Sequence, residues 1–199
     1  MHRLNQYLLC SLCFFFSVFL SAAEIIKSVD KETQLISWKL IENNFQLELI
    51  QRSPQQTRSF FQARGFSAEL ANDIATHCVL QTIVRNTEAE NSQDSISVSL
   101  KDWRFNTAEY AGEEPIKLKE SWAEEWKEGD ISNAARVAFR WATFPTEQVF
   151  EPGGDYNWGM ISVGPKPDTA FHLHVFWKQG NKTKNAWITN MHCPADKSE

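Results

Sequence analysis

The stretch TAFHLHVFWKQGNKTKNAWITNMHCP, near the end of the chain, holds three of the protein's five histidines and one of its four cysteines. At its centre Gly180-Asn181 suits a two-residue hairpin turn. Pairing Gln179 with Lys182 across that turn sets Leu173 opposite Ile188 and Val175 opposite Ala186, one apolar face. On the other face His174 lies opposite Trp187 and His172 opposite Thr189. Strand side chains alternate, so an unbroken register also brings Met191 and Cys193 to the histidine face. Imidazoles two residues apart on a strand stand about 6.6–7 Å apart and can converge on one ion. His172, His174 and Met191 then make a soft-leaning donor set, with Cys193 added if its thiol is free, and such a set suits copper. In the competing arrangement His174 stacks on Trp187, His172 faces water and Met191 fills a gap in the core, as methionine often does.

A second candidate is EPGGDYNWGM, Glu151–Met160. Pro-Gly-Gly-Asp is a strong turn, and it presents Tyr156 and Trp158 beside Asp155. Flat aromatic faces next to a carboxylate are what a sugar- or peptide-binding rim uses. Eight tryptophans in the chain support that reading. Its competitor makes the same residues a turn with core anchors, as expected for Trp141 and Trp177 within strand-like segments.

The cysteines are read through the compartment. MHRLNQYLLCSLCFFFSVFLSAAE starts basic, runs apolar from Tyr7 to Leu20 and closes on Ser21-Ala22-Ala23, the pattern of a secretory signal peptide. The 14 apolar positions span about 21 Å as a helix, less than the roughly 30 Å hydrocarbon core. Cleavage after Ala23 removes Cys10 and Cys13. Cys78 and Cys193 then remain as a pair in an oxidising setting, periplasmic or extracellular, where a disulfide is expected. His77 and His192 each precede one of these cysteines, so the bridge brings both histidines to one neighbourhood.

Removing Arg3 with the leader leaves 19 basic against 25 acidic residues, a net charge of −6. That balance argues against nucleic-acid or anionic-lipid partners, which need a basic surface. No second apolar run approaches membrane length, so no insertion is expected after cleavage. G-x-S-x-G, H-E-x-x-H, phosphate-binding and dinucleotide-binding glycine motifs are all absent from the sequence, which favours binding over catalysis.

These candidates sit on a mainly β pattern. Thr33–Ser53 reads as a hairpin turning at Asn43-Asn44. Ser53 as cap, Pro54 at the first helical position, Gly65 as stop and Ser67 as a second cap predict a helical hairpin from Pro54 to about Cys78. CVLQTIVRN and SISVSLKDWRF flank a polar run that reads as a hairpin loop. The Glu- and Lys-rich region near Trp122 and Trp126 reads as a connection with a short helical turn, pinned by those two rings. ARVAFRWATF alternates like a strand, with Val137, Phe139, Trp141 and Thr143 on one face. The expected fold is one α+β domain over residues 24–199, an antiparallel β-sandwich or barrel carrying the helical hairpin. The expected role is non-enzymatic binding outside the cytoplasm, with copper handling as its sharpest form. The alternative is a metal-free module that engages an unidentified protein partner through aromatic loops. N-terminal sequencing of the exported protein is expected to begin at Glu24; an intact Met1 would remove the cleavage reading.

Overall fold

A computed structural model of the protein describes residues 23–127 and 129–197. The apolar stretch ahead of Ala23, read above as a signal peptide, lies outside them. In chain order the elements are β1 (Glu24–Val29), β2 (Ile36–Glu42), β3 (Phe45–Gln51), α1 (Pro54–Gln62), α2 (Ala68–Ala75), β4 (Val79–Asn86) and β5 (Ile96–Ser99). A 3-10 turn over Leu100–Asp102 leads to β6 (Arg104–Thr107), β7 (Tyr110–Pro115), α3 (Lys119–Glu125) and α4 (Asn133–Ala142). The chain closes with β8 (Glu147–Phe150), β9 (Tyr156–Ser162), β10 (Ala170–Gln179) and β11 (Lys182–His192). The protein is mostly β, with two antiparallel sheets in a sandwich-like arrangement. Among the described residues no helix is long and apolar enough to cross a membrane.

The first sheet runs β1-β2-β3-β4-β9. The hairpin expected around Asn43-Asn44 is present, and Asn43 takes a left-handed φ of 50° at the turn. Its inner face stacks matched apolar pairs, Trp38 across from Leu49 and Leu40 across from Leu47. In the second sheet β10 is central. It pairs with β11 along one side, and on the other with β6 at Phe171–His174 and with β5 at Lys178–Gln179. The two sheets share one core, in which Phe45 of the first stacks on Trp177 of the second, 4.3 Å between ring centroids.

The helical hairpin forms as its punctuation predicts. Ser53 accepts from the Gln56 amide at 3.1 Å and Gln56 returns to the Ser53 amide at 3.1 Å, a reciprocal capping box ahead of Pro54. Gly65 adopts φ 87°, and Ser67 accepts from the Leu70 amide to start α2. A second apolar cluster gathers Phe61, Phe66, Trp122, Trp126, Phe139 and Met160 between the helices and the edge of the first sheet.

Two expectations about secondary structure need correction. ARVAFRWATF is not a strand: Ser132 caps the Ala135 amide, and α4 runs from Asn133 to Ala142. Ala135, Phe139 and Ala142 recur at helical spacing and face inward, so the helical period buries more apolar surface than the alternation does. Nor do CVLQTIVRN and SISVSLKDWRF form a hairpin. β4 pairs with β3 and β9 in one sheet, while β5 pairs with β8 and β10 in the other. The polar run between them crosses from sheet to sheet. Asn86 anchors that crossing by donating to the Asp94 and Phe150 carbonyls at 3.0 and 3.1 Å.

Cys78 and Cys193 are disulfide-bonded, with Cα atoms 5.4 Å apart across a sequence separation of 115. Replacing both with alanine is expected to lower unfolding free energy by about 2–5 kcal/mol in urea titration. A change below about 0.5 kcal/mol would show that the packed sheets alone hold this seam.

Candidate functional site

The hairpin register follows the turn-based expectation from Gln179–Lys182 inward as far as Leu173–Ile188, then slips. Phe171 pairs with Met191 and Ala170 with His192, so β11 carries one extra residue across from His172. This is a β-bulge, and a one-residue slip sends every later side chain to the opposite face. Met191 and Cys193 are therefore fully buried in the core rather than on the histidine face. The expected His172, His174 and Met191 donor set is not brought together. The reason is energetic: burying a methionine side chain is worth about 1.5–3 kcal/mol, and the slip also delivers Cys193 to Cys78.

Both histidines have local partners. Asn190, at the bulge, takes φ 55°, a left-handed conformation asparagine tolerates. Its amide donates to His172 Nδ1 at 3.1 Å, so His172 supplies the acceptor that the bulge leaves missing. His174 stacks on Trp187, ring centroids 4.1 Å apart, and lies 4.2 Å from the Phe176 ring. Its Nδ1 meets the Glu113 carboxylate and its Nε2 the Asn185 side chain, each at 3.1 Å. Among the described residues no cluster of three or more His, Cys, Asp or Glu side chains is arranged to hold a metal.

Beside this aromatic ladder lies a groove of about 940 Å³. Its rim sets Lys101, Arg104 and Lys178 against Asp102, Glu113 and Glu147. Lys101 and Glu147 pair at 3.1 Å, and the balanced charges concentrate neither sign of potential.

The second candidate is relocated. Gly153 and Gly154 hold φ of 98° and 87°, which side-chain-bearing residues rarely adopt, and they make the turn. Asp155 Oδ2 accepts from the Glu151 amide at 3.1 Å, which commits the carboxylate to closing that turn. Tyr156 and Trp158 belong to β9, an edge strand, rather than to a loop. Each is 53% exposed on the outer sheet face, with Arg85 across from Tyr156 and Ile83 across from Trp158. The Arg85 guanidinium sits 4.5 Å from the Tyr156 ring centroid, a cation–π contact that steadies it.

Trp141, on α4, is also strongly exposed and was missed by the strand reading of its segment. On α4 it is 81% exposed, with Val137 one turn earlier at 48%. The end of α4 runs directly along β9. Thr143 bridges Met160, and the Phe144 amide donates to the Met160 carbonyl at 2.9 Å. Gly159 makes this approach possible, since a Cβ there would lie 2.4 Å from the Phe144 nitrogen. Trp141 and Trp158 each lie two residues before a member of the Thr143–Met160 bridge. Reading Ser132 as a cap with Ala135, Phe139 and Ala142 at helical spacing would have found the exposed stripe.

Beside the disulfide, His77 and His192 each have a partner of their own. His192 Nε2 lies 3.5 Å from Asp168, whereas His77 packs edge-on against Trp122 at 4.8 Å. Burial, then the nearby Lys117 ammonium, pulls the His77 imidazole below its ordinary value near 6.5. Comparison with protein-family models, with curated proteins and with solved structures finds no match for this chain.

Because His77 resists protonation when folded, the unfolded chain takes up its proton first, and stability falls as pH drops below about 6.5. Urea midpoints between about pH 7.5 and about pH 5.5 are expected to fall less in His77→Gln than in the parent. Equal declines in the two proteins would remove His77 from the acid response.

Proposed function

We propose that the protein is an exported, non-enzymatic binding module that docks a protein partner on the aromatic face of β9 and α4. The observation that carries this reading is how the tryptophans are divided. Trp38, Trp103, Trp122, Trp126 and Trp177 are each at most 6% exposed, while Trp158 and Tyr156 stand at 53% and Trp141 at 81%. A chain that buries five tryptophans has the means to bury these rings too. Large aromatics left on a rigid sheet and helix are the side chains that most often dominate protein–protein binding energy. Such groups lose little conformational freedom on binding, and Arg85 already restrains Tyr156. Export is inferred from the leader, and Cys78–Cys193 suits an oxidising compartment.

Copper held by His172 and His174 is the competing proposal. Both imidazoles alternate with buried residues and so share the outer face of β10. Binding there would require His174 to release Glu113 or Asn185, and only two firm donors remain.

A photo-crosslinking residue at position 158 in the producing cell distinguishes the two. The expected result is one defined protein adduct, reduced at least about tenfold by Trp141→Ala with Tyr156→Ala. His172→Ala with His174→Ala should leave it unchanged. Labelling no different from a crosslinker at exposed Lys31 would sink the partner reading. One copper per chain, retained after desalting and lost on His174→Ala, would replace it with the metal reading.

A further inference from the structure

Between α3 and α4 lies a small cleft of about 180 Å³, separate from the exposed aromatic face. Its apolar walls are Ala123, Trp126 and Phe139, and its rim carries Lys119, Arg136 and Arg140. We infer that this cleft binds a small carboxylate with an apolar body, of the size of a single phenyl ring or a short alkyl chain.

Volume limits the ligand first. A protein cavity of about 150 Å³ accepts benzene, so this cleft matches one ring and excludes a long acyl chain or a disaccharide. Charge selects the head group. Glu120 is the acidic residue lining the cleft, and both its oxygens are turned to the Thr146 hydroxyl, at 2.8 and 2.6 Å. Arg136 spends one nitrogen on the Trp126 and Lys127 carbonyls, at 3.3 and 3.1 Å. Among the described residues Lys119 and Arg140 have neither an ion pair nor a side-chain hydrogen bond, so two cations face the opening uncommitted. In a chain of net charge −5, an acid-poor cationic rim around an apolar floor is a local exception.

A third observation comes from Trp126 itself. Its ring is 6% exposed, and its Nε1–H is buried with no acceptor among the described residues. That nitrogen has no accessible surface, so the ring lines the cleft with its carbon atoms, as an apolar wall rather than a hydrogen-bond donor. Amphiphilic binding of this kind, with a flat apolar body on aromatic walls and one anchored anion, is a common plan for small-ligand sites.

The test is a titration of the full mature protein with sodium benzoate, following the indole N–H signals by heteronuclear NMR. Trp126→Phe identifies the Trp126 signal. Saturable movement of that signal is expected, with benzyl alcohol binding at least about tenfold more weakly. Lys119→Gln with Arg140→Gln should weaken benzoate about tenfold and leave benzyl alcohol unchanged, because only the charged head meets those groups. Ala123→Phe should fill the cleft and abolish the response while the other indole signals persist. A Trp126 signal that does not move by about 10 mM benzoate, a far weaker limit than functional binding requires, overturns the inference. So does equal binding of benzyl alcohol, or the same movement with inorganic phosphate alone. Loss of this site leaves the partner face on β9 untouched, so each reading fails on its own test.

Discussion

The seam around Cys78–Cys193 is where every layer of this protein is tied. Cys78 lies between α2 and β4 and is bonded to the residue that follows β11, so one covalent link joins the helical hairpin, the first sheet and the second. Backbone bonds flank it closely. The Cys78 amide donates to Pro165 and the Val163 amide to Cys78, both at 2.8 Å, and the Cys193 amide donates to Thr169 at 2.9 Å. Gln51 reaches across from β3 to the His192 carbonyl and, with its other amide atom, accepts from the Ile36 amide at 2.7 Å. Outside the seam, Arg58 of α1 grips Asp196 beyond it. A chain whose last strand were not pinned here would lose the edge of the second sheet, and with it one wall of the shared core.

That constraint explains the β-bulge. A continuous register in the closing hairpin puts Cys193 on the solvent side, out of reach of Cys78. One extra residue on β11 turns Met191 and Cys193 inward together. The left-handed Asn190 is tolerable because its freed amide finds His172. His172 is thus best understood through backbone satisfaction, and His174 through stacking between Trp187 and Phe176, before any ligand is considered.

The helical layer follows a similar logic. α1, α2, α3 and α4 cover only part of the first sheet, where Met160 and Val79 join Phe61, Phe66 and Trp126 in a common cluster. Further along β9 the outer sheet face is uncovered, and Tyr156 and Trp158 emerge there. Gly159 lets the end of α4 lie against the strand, close to Thr143 and Phe144. The surface proposed for partner binding is therefore the margin where helical cover stops.

Much of this was legible locally. Ser53, Pro54, Gly65 and Ser67 announce two short helices because caps and stops act within one turn of chain. Asn43-Asn44 and Gly180-Asn181 announce hairpins because a tight turn sets the pairing of its nearest residues. Two cysteines outside the apolar N-terminal stretch announce a bridge. Tertiary structure alone settled which sheet each strand joins, since β4 and β5 carry similar alternation and only long-range burial separates them. It made a helix of residues 133–142, where two periodicities compete and the better-packed one prevails. It slipped the register beyond Leu173, because a turn cannot control pairing at a distance once core burial and a remote cysteine favour the other face.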